Sequence, residues 1–287
     1  MQFKSENDLA AFFWANPDLK ELELEEFSAT GNLPRLPQSL ERLSIYRCPG
    51  PMSLPVLPSS LKSLTVSQCP SLLYFPDLPN SLTNLYVDYC EKVDGLPKLP
   101  SSLKQLHLGN SSLISHIPQV PDSLTHLTLN RCYRILDLPP LPKTMLEINL
   151  RDCLRMISIL PSESTVEYLR DMRPDLKQRP ALPDALTKLA IINVPKLESI
   201  PELPATLTYM WLGHLPELTA LPELPQSLNY LAVDSCFALA ALPPLPTSLT
   251  GIRIFQCPRI NDSGQVIKLG KLRLELPRPP LKSAIYD

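Results

Sequence analysis

Residues 96–108 read LPKLPSSLKQLHL, and both halves of that stretch recur down the chain. The phrase L-P-x-L-P-x-S-L begins, with conservative variation, at Leu33, Leu54, Phe75, Leu96, Ile117, Leu138, Ile200, Leu221 and Leu242, and consecutive copies lie 21 residues apart except across one gap. Self-similarity at that period marks an array of stacked turns, each too small to bury its own apolar face. The second half, L-x-x-L-x-V-x-x-C, as in Leu61, Leu64, Val66 and Cys69, alternates apolar and polar residues and so predicts one half-buried strand per turn. Extended outward, the pattern places thirteen strands, near Leu22, Leu43, Leu64, Leu85, Leu106, Leu127, Ile148, Leu169, Leu189, Met210, Leu231, Ile252 and Leu272. At roughly 4.8 Å per strand they form a parallel ladder about 55 to 60 Å long that lines a concave face.

Each turn must return to start the next strand. Two prolines three residues apart remove amide donors and hold the backbone dihedral, so the return side is extended polyproline II on a thin convex face and not helix. Residues 5–16 differ: Leu9, Phe12 and Phe13 recur at helical spacing, Ser5 or Asn7 caps the start and Pro17 ends it. Such a helix covers the open end of a solenoid core. The chain is thus expected to divide into a helical cap over 1–18, a solenoid of about thirteen turns over 19–276 with a last strand within 265–276, and a tail over 277–287.

Composition bounds the partners. With 27 basic and 29 acidic residues and no long run of either sign, an electrostatic footprint for nucleic acid or an anionic membrane is missing. Glu6 and Asp8 precede the short apolar stretch Leu9 to Ala15, the wrong charge order for a cleaved secretory signal, and no run of residues is long enough to span a bilayer. The 34 prolines accompany 44% apolar residues, too many for a disordered tail, so they belong to an ordered architecture.

The recurrent polar residues read as structural. All seven cysteines, at 48, 69, 90, 132, 153, 236 and 257, hold one position of the repeat, where other turns carry Ser111, Val194 or Leu215. An odd count at 21-residue spacing suits neither a disulfide framework nor a metal cluster, and buried free thiols imply a reducing compartment at the place of action. The hydroxyls before the strands, Ser39, Ser60, Ser81, Ser102, Ser123, Thr144, Thr206, Ser227 and Ser248, are expected to bond backbone groups rather than act as nucleophiles. His107 and His126 fall on adjacent strands, two imidazoles without a third ligand. No nucleotide-binding, zinc-protease or serine-hydrolase motif is present, so no catalytic residue, cofactor or metal is expected.

What varies is the concave face. Its middle column runs Ser44, Thr65, Tyr86, His107, Thr128, Asn149, Arg170, Ala190, Trp211, Ala232, Arg253. Toward the C-terminal half Tyr209, Trp211, Tyr230, Arg253 and Phe255 converge over three strands, with Ala190, Ala232, Gly213 and Gly251 leaving room around them. Exposed Trp, Tyr and Arg in a recess are the residue types that dominate interface energetics, so this cluster, with Tyr86, is the candidate partner site. Between Leu160 and Arg179 the phrase is lost, and residues 164–173 suit a capped helix as well as a strand with Asp171 at an apolar position. A distorted turn or short helical insertion is expected there, with Tyr168, Arg170 and Arg173 as a second contact patch. The tail string Pro277, Arg278, Pro279, Pro280, Leu281, Lys282 matches a polyproline II ligand but reads as an end cap or frayed end.

The phrase carried by Leu96, Pro97, Leu99, Pro100, Ser102, Leu103, Leu106 and Leu108 resembles the LPX-type leucine-rich repeats of secreted bacterial effectors of the IpaH, SspH and YopM kind, over residues 19 to about 274. That family's common repeat has 20 residues and Asn where this chain has Cys; the Cys form, as in Leu228, Leu231, Val233 and Cys236, also resembles the leucine-rich segments of plant intracellular immune receptors. The ubiquitin-ligase members carry a helical catalytic domain after the repeats, and only about a dozen residues follow the last strand here. The resemblance implies a leucine-rich-repeat solenoid that binds a host protein in the cytosol, either as a free-standing scaffold effector or as the substrate-binding half of a longer ligase. The alternative it leaves open is a receptor-like or structural repeat domain without an effector role.

Overall fold

The computed structural model describes residues 5–27, 33–50, 53–160, 181–262 and 273–274. Helix α1 (Glu6–Ala15) comes first, and Ser5 caps it by accepting the Asp8 amide at 3.1 Å. Leu9 and Phe13 are buried in the end of the core while Trp14 faces out, 91% exposed. One parallel sheet follows: β1 (Glu21–Glu25), β2 (Arg42–Tyr46), β3 (Ser63–Ser67), β4 (Asn84–Asp88), β5 (Gln105–Gly109), β6 (His126–Asn130), β7 (Glu147–Arg151), β8 (Lys188–Ile192), β9 (Tyr209–Gly213), β10 (Tyr230–Asp234), β11 (Gly251–Phe255) and β12 (Arg273–Leu274), paired strictly in chain order. A short helix α2 (Pro258–Asp262) lies between the last two.

Period-two alternation does what it predicts. In β4, Leu85 and Val87 are buried while Asn84, Tyr86 and Asp88 face the concave side, and β6 and β7 repeat the pattern. The inward residues form one continuous core of stacked leucines with the cysteines and the leucines of the proline phrase. On the return side the phrase carries no helix or strand, and it ends in a tight turn in which the second proline's carbonyl accepts the amide three residues on, as from Leu40 to Pro37 and Leu103 to Pro100. The same turn joins Leu186 to Pro183, a copy disguised in sequence by Arg179 and Ala185.

Successive turns are tied by more than the ladder. Each hydroxyl of the Ser/Thr column donates to a carbonyl one turn back: Ser39 to Leu19, Ser60 to Leu40, Ser102 to Leu82, Thr144 to Leu124, Thr206 to Leu186 and Ser248 to Leu228, at 2.6 to 3.1 Å. The thiols do so at longer range, Cys132 to Leu108 at 3.5 Å and Cys257 to Val233 at 3.7 Å, and where Ser111 replaces cysteine its hydroxyl bonds Gly109. All seven cysteines are buried and unpaired, and burial pushes the Cys153 thiol up to about 11.

A further tie is not visible in residue type. The residue after each strand from β1 to β11 is left-handed, from Glu26 at φ 54° through Arg47, Gln68, Tyr89, Asn110, Arg131, Asp152, Asn193, His214 and Ser235 to Gln256 at 49°. For residues other than Gly or Asn this conformation costs about 1–2 kcal/mol. The return is a hydrogen bond: the amides of Glu26, Arg47, Gln68, Tyr89, Asn110, Arg131, Asp152, Asn193, His214 and Ser235 each donate to the last strand carbonyl of the next turn at 2.8 to 3.2 Å. The kink thus extends the ladder one bond past the strands and starts the return path.

Two expectations are corrected. The strand near Leu169 does not enter the ladder: β7 pairs β8 directly, Glu147 opposite Lys188 and Arg151 opposite Ile192. The amides of Thr187 and Lys188 bond Leu146 at 2.9 and 3.1 Å as those of Lys104 and Gln105 bond Thr83 at 2.8 and 3.0 Å, so the step is regular although it spans 41 positions of sequence. In sequence this stretch lacks the proline phrase and carries Asp171 at an apolar position, a poorer match to the ladder than the proline-bearing turn before β8. The last strand also shifts, with Leu274 rather than Leu272 opposite Ile252. The residues between β7 and β8 from 161 to 180, including Tyr168, Arg170 and Arg173, and the tail string at 277–282 lie outside the described residues.

A turn holds its neighbours only through this shared core. Leu106→Ala in β5, 1% exposed, should therefore lower stability by about 2–5 kcal/mol in urea denaturation, and a loss below about 1 kcal/mol would contradict the shared core. The seven thiols should resist Ellman's reagent at pH 8 in the native chain and all react once denaturant is added.

Candidate functional site

The first, third and fifth positions of each strand form the inner face, and parallel pairing at every step puts equal positions side by side. Tyr209 of β9 thus lies opposite Tyr230 of β10, and Trp211 lies between Ala190 of β8 and Ala232 of β10. The two tyrosine rings stack nearly parallel, 7° apart with centroids at 5.1 Å. Tyr230 in turn lies over Gly251, where a β-carbon would stand 2.7 Å from Tyr230 Cδ2; this position admits only glycine without moving the ring. Burial and the neighbouring tyrosine push the Tyr209 hydroxyl up to about 12, so it serves as a neutral hydrogen-bonding group.

Trp211 is a half-buried wall. On its β8 side a recess of about 250 Å³ is lined by Glu147, Asn149, Lys188, Ala190, Ile192 and Tyr209, with Ala190 supplying the space. Glu147 and Lys188 pair at 3.4 Å at its edge. The indole Nε1 is buried and, among the described residues, has no hydrogen-bond partner. A buried donor left unmatched costs about 1–3 kcal/mol, so this atom marks a place where an acceptor is wanted. On the other side Arg253 is held by Asp234 at 3.1 Å, both side chains 15% exposed, and its guanidinium lies 5.9 Å from the Phe255 ring. Phe255 itself is half exposed.

Tyr86 stands elsewhere, on β4, five strands from β9 and so about 24 Å away. It stacks on His107 of β5 at 4.1 Å and 11°, beside a hollow of about 410 Å³ lined also by Thr65, Asn84, Gln105, His126 and Thr128. Burial lowers the His107 pKa from its usual value, which keeps the imidazole neutral near pH 7. Two larger hollows, of about 650 and 770 Å³, lie off the strand face, one among residues that follow β1 to β4 and one among residues of the proline phrase.

The coordinates superpose on YopM, the leucine-rich effector protein from Yersinia pestis, with a TM-score of 0.54 and 28% identity over 84% of this chain and 75% of that one. The fold is that of a leucine-rich-repeat solenoid. CroV588, a circular leucine-rich-repeat protein, is 23% identical with a TM-score of 0.48 over 82% of this chain, which spans 40% of its length. The leucine-rich-repeat domain of the type III effector XopL is 18% identical with a TM-score of 0.37, over 86% of this chain and 71% of that one. No protein-family model and no curated protein sequence matches the chain.

Of the anticipated site residues, Tyr209, Trp211 and Tyr230 are in one cluster, Arg253 and Phe255 adjoin it on β11, and Tyr86 belongs to a second group. Glu147 and Asn149 were not anticipated beside Trp211, because a strand was expected between β7 and β8; direct pairing brings Asn149 opposite Ala190. Asp234 was also missed as the partner of Arg253, since the contact is diagonal across the ladder. Among the described residues no group of three His, Cys, Asp or Glu could hold a metal, and no helix is long and apolar enough to cross a membrane.

The Gly251 contact separates two otherwise similar glycines of this leucine-rich-repeat face. Gly251→Ala should displace Tyr230 and cost about 1–3 kcal/mol by overpacking, whereas at Gly213, where the nearest atom to an added β-carbon is 3.6 Å away, alanine should change stability by less than about 0.5 kcal/mol in the same urea titration.

Proposed function

We propose that this solenoid is a recognition module that captures a protein partner on its concave face, centred on Tyr209, Trp211 and Tyr230. The observation that carries the reading is the buried indole Nε1 of Trp211, without an acceptor among the described residues, beside a recess bounded by aromatic rings and by an ion pair at its edge. Rigid Tyr and Trp side chains lose little freedom on contact, and a partner carbonyl or hydroxyl reaching Nε1 would remove an existing penalty. Arg253 and Phe255 extend the surface toward β11, and Tyr86 offers a second anchor.

The place of action proposed is the cytosol of a host cell, with the chain acting as a secreted effector or as the substrate-recognition part of one. Seven buried, unpaired thiols suit a reducing compartment, and the fold is shared with an effector protein of Yersinia pestis.

The test is affinity capture from a eukaryotic cell lysate with the wild-type chain, the double variant Trp211→Ala/Tyr230→Ala, and Val56→Ala on the exposed proline side as control. The double variant should lose at least about tenfold of every specifically retained protein, as expected when central aromatic anchors are truncated, while the control retains them. Equal retention by the double variant, with an unchanged thermal melt, would remove the site from this face.

A further inference from the structure

At the fifth position of β4, β5 and β6 the register sets Asp88, Gly109 and Asn130 in one row across the concave face. Gly109 is the low point between two side chains. A β-carbon there would stand 2.9 Å from Asp88 Cγ and 3.2 Å from His107 Nε2, so the absent side chain is what lets the Asp88 carboxylate lie over the β5 backbone. The carboxylate is fixed from two directions, by the Asn110 amide nitrogen at 2.8 Å and the Tyr86 hydroxyl at 3.3 Å. Asn110 sits in the left-handed column at the strand end, and Tyr86 is braced by its stack on His107.

Among the described residues this carboxylate meets no cation. Arg131, in the same left-handed column as Asn110, is engaged with Asp152 at 3.5 Å and with Asn110 Oδ1 at 3.4 Å. His107 does not supply the charge either, since its burial favours the neutral ring. One strand further along the row, the Asn130 side-chain oxygen is buried and has no donor among the described residues. A half-buried carboxylate without a counter-ion, in one row with an unmatched carbonyl oxygen and beside a flat aromatic pair, is a set of acceptors wanting a charged donor. The contrast with the Trp211 recess is one of sign: there the unmatched atom is a donor, here it is an acceptor, the Asn130 oxygen, in one row with a carboxylate whose two hydrogen bonds both come from neutral groups.

We infer that the notch over Gly109, bounded by Asp88, Tyr86, His107 and Asn130, is a subsite for a basic side chain, lysine or arginine, of the protein that docks on the concave face. This rests on the proposed use of that face, but its test does not need the partner. The two anchors, about four strand steps or roughly 19 Å apart between β5 and β9, would read a basic residue and an acceptor-bearing apolar group on one ligand.

The probes are capped Gly-Arg-Gly, Gly-Lys-Gly and, as neutral control, Gly-Gln-Gly tripeptides, titrated into the ¹⁵N-labelled chain at low ionic strength while amide shifts are followed. The arginine or lysine peptide, or both, should shift Tyr86, Gly109 and Asn130, with the stronger of the two naming the side chain, and the glutamine peptide should not. Asp88→Asn, which keeps the side-chain shape, should weaken the response about tenfold or more, the scale of one charge-assisted hydrogen bond. Gly109→Ala, which fills the floor, should do the same. Shifts that persist undiminished in Asp88→Asn, that centre on the glutamates of β1, or that appear equally with the glutamine peptide would overturn the assignment. Absence of any shift with both basic peptides would overturn it as well, and would leave the Trp211 capture experiment to decide the concave-face reading independently.

Discussion

No turn of this molecule can satisfy itself. The strands β1 to β11 are five residues long, their amides and carbonyls find partners only on the turns before and after, and the leucines beneath them bury their flanks only against the next layer. Everything else in the repeat supports that one contact. The serine and threonine hydroxyls reach back to a carbonyl of the preceding turn, the left-handed residues reach forward to a carbonyl of the following one, and prolines remove the amides that would otherwise compete on the return path. The requirement is strict inward and lax outward, which is why the concave columns are free to carry different residues in different turns.

That freedom is used unevenly. Around β3 to β6 the face is polar, with asparagine, glutamine, threonine and two histidines; around β8 to β11 it is aromatic, with small residues opening space beside the large ones. Gly251 and Gly109 do the same job in the two regions: each is the floor over which a neighbouring side chain lies flat. A site of this kind is shaped by what is missing from one strand as much as by what is present on the next.

Much of this was legible from residues alone. The period, the alternation and the burial of every cysteine follow from repetition, because a residue type recurring at one register can only answer a structural need; the α1 helix followed from helical spacing, which left Ser5 and Asn7 both open as its cap until the structure chose Ser5. The aromatic cluster was legible for the opposite reason, as the concentration of Tyr209, Trp211 and Tyr230 on two adjacent turns of columns that are mostly polar or small elsewhere. Two features were not. The direct pairing of β7 with β8 was hidden because 41 residues equals one 21-residue and one 20-residue step, so counting could not distinguish a turn in the stack from a turn missing from it. The left-handed column was hidden because Arg47, Gln68 and Tyr89 are not residues that favour that conformation; the hydrogen bond to the next turn imposes it against their preference.

The β7–β8 junction has a consequence for how such a chain can change. Its connection has 36 residues, from 152 to 187, where neighbouring connections such as 110 to 125 have 16, yet the strands on either side meet in unbroken register. Closing a longer loop costs entropy that grows only as the logarithm of its length, about 0.6 kcal/mol per doubling. Extra sequence can therefore be accommodated between layers for little more than the loss of a single exposed hydrogen bond. An array governed by neighbour contacts tolerates such appendages wherever two layers remain in touch, and so can acquire new surface without renegotiating its interior.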